Sequence, residues 1–177
     1  KLCQCKEEDQ RLQEARRVLA NLPRHSAYQL PFWTRPGTQG AEDAVRDFVV
    51  GKEPAAVLLT GGFGCGKTHL LAKTGQQLFA AGAGVRYEFV PDFLDALRAG
   101  SAIDARVSAD EVYRRAADAW VLLLDDIGAD EHVTPFVRQQ MTRLVDYRLR
   151  QEKRTLFATN LLAEEMGKHM GGRIGSR

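Results

Sequence analysis

Residues 61–68 read Gly-Gly-Phe-Gly-Cys-Gly-Lys-Thr, and no other stretch of the chain constrains its fold as much. The octet fits Gly, four residues, Gly-Lys-Thr, a phosphate-binding loop. Such a loop works only between a strand and a helix, and both are legible. Residues 55–59 form a short apolar run of strand length, and 69–79 place Leu70, Leu71, Leu78 and Phe79 at helical spacing. Glycines let the backbone wrap a phosphate chain closely, and the unsatisfied N–H groups opening the helix point at the anion. On this reading Lys67 reaches the outer phosphates and the Thr68 hydroxyl ligates Mg²⁺.

The remaining chain supplies more strands and helices in alternation. Apolar periodicity predicts a helix over 7–22 (Leu12, Ala15, Leu19, Leu22), ended by Pro23. Residues 24–40, with Tyr28, Phe32, Trp33, Pro31 and Pro36, read as an irregular aromatic connection that either walls a nucleotide base or plugs the core. A short helix follows over 41–50. After the loop helix come a strand at 85–90, a helix from Pro91 to Arg98, and a helix from 109 to about 119 opened by a Ser108/Glu111 capping box. A strand at 120–124 ends in Asp125 and Asp126. Thr134 caps a helix over 135–150 with Phe136, Val137, Met141, Leu144, Val145 and Leu149 inward, and a strand at 155–159 ends at Asn160 before a helix near 161–169. Four strands alternating with helices predict an α/β fold, a three-layer α/β/α sandwich on a parallel sheet.

Two carboxylates at the C-terminal end of an apolar strand sit where open α/β sheets place ligands. With a phosphate loop upstream, Asp125 is expected to hold Mg²⁺ and Asp126 to orient the attacking water. Asp is a methylene shorter than Glu, so slow turnover is expected. Asn160, closing the next strand, is a further polar candidate.

Composition narrows the classes. Lys and Arg number 25 against 23 Asp and Glu, a net charge of +2, so any nucleic-acid contact must use a local patch. No apolar run approaches the roughly 20 residues of a membrane span. Three cysteines, one inside the loop, make no disulfide framework and point to the cytoplasm. Cys3 and Cys5 could form half of a four-ligand zinc site, the other half lying upstream; two exposed thiols is the alternative. Asp125 to Gly128 matches the Asp-x-x-Gly of GTPases, but no Asn-Lys-x-Asp base-reading motif occurs. A small-molecule kinase would need an arginine-rich lid, and the arginines here are spread along helices.

Four stretches together carry a resemblance: Gly-Phe-Gly-Cys-Gly-Lys-Thr-His-Leu-Leu (62–71), Leu-Leu-Leu-Asp-Asp-Ile-Gly (122–128), Thr-Leu-Phe-Ala-Thr-Asn-Leu (155–161) and Arg-Ile-Gly-Ser-Arg (173–177). In them the chain resembles the AAA+ ATPases of the bacterial replicative helicase-loader family, the DnaC/DnaI type, and the related IstB-type transposition ATPases. The resemblance implies a P-loop NTPase core over 25–177, with the final strand beyond Arg177, preceded in 1–24 by the end of an N-terminal region whose last zinc ligands would be Cys3 and Cys5. It implies ATP and Mg²⁺ held by Gly61, Gly62, Phe63, Gly64, Cys65, Gly66, Lys67, Thr68 and His69, with Asp125 on the metal. Asp126, Asn160 as sensor, and Arg177 as an arginine finger serving a neighbouring subunit would complete catalysis. The implied partners are a replicative hexameric helicase, single-stranded DNA met by residues such as Arg98, Arg106, Arg114 and Arg115, and further copies of the chain in a ring or filament. The two cysteines near the start favour loading of the helicase, with support of DNA transposition as the alternative.

Overall fold

The computed structural model describes residues 20–23, 39–128, 134–162 and 165. Its elements are α1 (Gln39–Val49), β1 (Ala56–Thr60), α2 (Lys67–Ala80), β2 (Val85–Phe89), α3 (Val90–Ala99), α4 (Ala109–Asp118), β3 (Val121–Ile127), α5 (Pro135–Arg150) and β4 (Arg154–Thr159). The strands form one parallel sheet in the order β1-β4-β3-β2. The parallel sheet with helices on both faces is the expected three-layer α/β/α architecture, and the strand order is supplied by the structure. Cys3, Cys5, Tyr28, Phe32, Trp33, Arg177 and most of the helices expected over 7–22 and 161–169 lie outside the described residues.

The two core layers follow the pleat of β3, because alternate side chains leave opposite faces of a strand. Leu123 joins Leu71 and Leu78 of α2, Val45 and Phe48 of α1, and Ala20 and Leu22, so one layer lies under the loop helix. Leu122 and Leu124 join Phe93 and Leu97 of α3, Tyr113 of α4 and Met141 and Leu144 of α5 in the other. The three consecutive leucines are fully buried, as a central parallel strand requires. No described helix is long and apolar enough to cross a membrane.

Local signals placed most elements within two residues of the expected ends. Ser108 accepts the Glu111 N–H at 3.2 Å to open α4, and Thr134 accepts the Val137 N–H at 3.3 Å to open α5. The Glu111 carboxylate engages Arg115 one turn on. One strand differs from its expected limits. β3 runs from Val121 through both aspartates to Ile127, and Trp120 stands outside it, 71% exposed.

The least expected buried residue is Arg148, 1% exposed on α5. Its Nη1 donates to the carbonyls of Ala116, Ala117 and Ala119 at 2.8–3.0 Å, the open C-terminal end of α4. Nη2 donates to Arg154 O at 2.7 Å, and Nε to Thr155 Oγ1 at 2.9 Å. One guanidinium thus ties the end of α4 to the start of β4, and the negative end of the α4 dipole favours its charge. Burial pushes it down to about 10, which leaves it charged at neutral pH. Arg148→Met should retain the packing but strand several buried carbonyls, and lose about 2–4 kcal/mol of unfolding free energy in a denaturant titration. A loss below about 1 kcal/mol would mean those carbonyls find other partners.

Candidate functional site

Because all strands run parallel, the segments after β1, β3 and β4 meet at one edge of the sheet. They border a cleft of about 870 Å³ lined by Phe63, Gly64, Gly66, Lys67, Thr68, His69, Tyr87, Asp125, Asp126 and Asn160, with Asn21 to Pro23 and Asp92 on its rim.

The loop has the geometry of an anion cradle. Gly64 and Gly66 adopt φ of +72° and +97°, left-handed values that side-chain-bearing residues rarely take, and Gly66 is the N-cap of α2. Lys67 folds back over the loop, Nζ donating to Gly61 O at 2.7 Å and Gly62 O at 2.9 Å, with Cys65 Sγ at 3.5 Å. Phe63 at the tip is 90% exposed. His69 is half-buried, and burial, then the charge of Lys73, lowers its imidazole below the usual value.

Asp125 is 2% exposed. Its Oδ1 accepts from the Thr68 hydroxyl at 3.2 Å and from the Asp126 N–H at 3.0 Å; its Oδ2 accepts from the Tyr87 hydroxyl at 2.6 Å. Thr68 and Asp125, 57 residues apart, therefore present two hard oxygens side by side beneath the loop. That donor set suits Mg²⁺, which takes one or two carboxylate or hydroxyl ligands beside phosphate oxygens and water. Among the described residues no cluster of three or more His, Cys, Asp or Glu offers an all-protein cage.

Asp126 owes its position to a β-bulge. Leu124 pairs with Phe157 and Ile127 with Thr159, so three steps on β3 match two on β4. The extra residue puts Ile127 on the same core face as Leu122 and Leu124, while Asp126, at φ +59°, turns out to the cleft. There its Oδ1 accepts from Asn160 Nδ2 at 3.0 Å. Burial first, then the neighbouring Asp125 charge, raises the Asp126 carboxyl above the ordinary value, against an opposing pull from Lys67. Thr159 locks the bulge to β4, its hydroxyl donating to Ile127 O at 2.6 Å and accepting the Leu161 N–H at 3.0 Å.

The structure thus brings together the loop, Asp125, Asp126 and Asn160. The basic residues singled out for DNA are less suggestive. Arg98 pairs with Asp95 at 2.6 Å, and Arg114 and Arg115 pair with Asp110 and Glu111 one turn back on α4. Sequence reading missed Tyr87, because its contact with Asp125 depends on the register of β2 against β3, in which Phe89 lies opposite Asp125.

Fold and site together define a P-loop protein of the AAA+ type. Residues 6–172 match the family described as IstB-like ATP binding protein, and the chain belongs to that ATP-binding family. It is 33% identical over 112 residues to the replicative helicase loader DnaI of Bacillus subtilis (strain 168), a match covering 63% of this chain and 35% of that protein. A solved DNA replication initiation factor shares the fold with a TM-score of 0.74 at 20% identity, over 88% of this chain and 47% of that one. The DnaC helicase loader does so at 0.66 and 21% identity, over 82% and 87%.

The bulge makes a specific demand on Gly128, at φ +81°, where a Cβ would overlap the Leu161 side chain. Gly128→Ala should lower stability by about 1–3 kcal/mol, read by thermal melting. An unchanged melting temperature would mean that the segment after the bulge relaxes at no cost.

Proposed function

We propose that the chain is a Mg²⁺-dependent ATPase, the nucleotide-switched module of a replication protein that loads a replicative hexameric helicase onto single-stranded DNA. One observation carries the ATPase reading: the run of contacts from Thr68 through Asp125 and Asp126 to Asn160, directly beneath a glycine-rich loop. The likeness to the DnaI loader supports the replication role. The IstB-like family match keeps a role in DNA transposition as the second reading.

The residues divide the work as phosphoryl transfer requires, by positioning and charge rather than covalent chemistry. The glycine amides and the α2 N-terminus hold the phosphates, and Lys67 swings from the Gly61 and Gly62 carbonyls to the outer ones. Thr68 and Asp125 hold Mg²⁺, which supplies charge neutralisation on the phosphate oxygens. Asp126 orients the attacking water, and Asn160, now donating to Asp126, senses the terminal phosphate. Arg177 serves a neighbouring copy as an arginine finger. Cys3 and Cys5 take zinc only together with further ligands.

Binding of a fluorescent ATP analogue and phosphate release, measured together, test the assignment. Lys67→Ala should abolish binding, whereas Asp126→Asn should bind normally and hydrolyse at least roughly tenfold more slowly. Unchanged affinity in the Lys67 variant would remove the loop from the site; lost binding with preserved turnover in the Asp126 variant would reverse the roles of the two aspartates.

Arg177→Ala should be inactive alone, and mixing it with Lys67→Ala should restore hydrolysis, since each then supplies what the other lacks. No rescue despite co-assembly would refute a finger acting between copies.

A further inference from the structure

Asp125 has two oxygens in two different situations. Oδ1 faces the loop beside Thr68, while Oδ2 points away, along the sheet toward β2. Parallel register explains the second contact. Tyr87 pairs with Leu123 and Phe89 with Asp125, so Tyr87, Leu123 and Asp125 leave the same face, with Tyr87 diagonal to the carboxylate. The Tyr87 ring is buried at 6% exposure in the layer under α2, so packing fixes where its hydroxyl stands.

The end of β2 is itself held. Asn21 Nδ2 donates to Tyr87 O at 2.9 Å and to Glu88 Oε2 at 3.3 Å, and Arg86 Nε donates to Glu88 Oε1 at 2.6 Å. A hydroxyl donating to a carboxylate at 2.6 Å is a short, charge-assisted bond with a defined direction.

We propose that Tyr87 is a positioning residue for the metal site, fixing the Asp125 carboxylate so that Oδ1 alone is presented to the cation. The proposal rests on the Mg²⁺ reading of Thr68 and Asp125. A carboxylate free to rotate about its terminal bond would share its charge between two directions and meet the cation in several geometries. Mg²⁺ tolerates this poorly, because it demands near-ideal octahedral coordination. Donors behind a ligating oxygen characteristically set metal affinity in this way. Tyr87 touches neither phosphate nor water in this role; it acts through Asp125.

The test is a Mg²⁺ titration of the whole chain, reading the enhancement of fluorescent, non-hydrolysable ATP-analogue binding, alongside thermal melting. Tyr87→Phe keeps the packed ring and removes the hydroxyl that donates to Asp125. It should raise the Mg²⁺ concentration for half-maximal enhancement roughly tenfold, while metal-free analogue affinity stays at the wild-type value. Thr68→Ala separates the two levels of the argument. If it shifts the titration and Tyr87→Phe does not, the positioning role is overturned and the metal site stands. If neither the wild type nor Thr68→Ala responds to Mg²⁺, the metal reading fails and the proposal with it. Equal weakening with and without metal would make Tyr87 a packing residue only, and overturns the proposal. Should Tyr87→Phe not fold, the wild type labelled at tyrosine Cζ replaces it. One of the four tyrosines must then shift on adding Mg²⁺ to the analogue complex, and no shift overturns the proposal.

Discussion

A carboxylate with almost no water around it has to be solvated by the protein, and the cleft is arranged around that requirement at Asp125. Three donors meet it: the Thr68 hydroxyl from the first turn of α2, the Tyr87 hydroxyl from β2, and the N–H of Asp126 next in chain. Each donor belongs to a different segment, so the acid holds the loop helix, the central strand and its neighbour in one geometry. The loop is a feature of residues 61–68, but its placement over the cleft depends on this carboxylate.

The bulge solves a second problem. A strand buried on both faces alternates strictly, so two adjacent aspartates would put one of them into the apolar layer beneath α3 and α5. Inserting one residue lets Ile127 take that inner position and sends Asp126 into the cleft at a left-handed φ, where Asn160 meets it. The strain of φ +59° on a non-glycine residue thus coincides with the placement of the second acid, as expected where geometry serves a site. The raised carboxyl of Asp126 follows from the same arrangement, since it is pressed toward the interior beside another negative charge.

On the opposite face, Arg148 does the corresponding structural work. Its charge meets carbonyls rather than a carboxylate, so the end of α4 and the start of β4 are held without an opposing ion in the core. Because β4 delivers Asn160 and pairs directly with both β1 and β3, that tether is continuous with the floor of the cleft. The surface pairs of α3 and α4 contribute much less, being exposed and screened.

Much was legible in the sequence because it is local. The loop octet, the strand before it, the helix after it, the Ser108 and Thr134 caps and the triple leucine of β3 depend on neighbours within a few positions. Alternation of strands and helices then fixed a layered parallel fold. The acids at 125 and 126 were identifiable because an apolar run ended in them downstream of a phosphate loop. What the sequence could not specify was register. The bulge exists only because β3 is matched against β4, and Tyr87 reaches Asp125 only because β2 lies beside β3 in one particular alignment. Arg148 carries no local signal of its role, since its partners lie about 30 residues back and several ahead. Local propensity and spacing are written along the chain; which buried polar group meets which is decided only when the layers close and water is excluded.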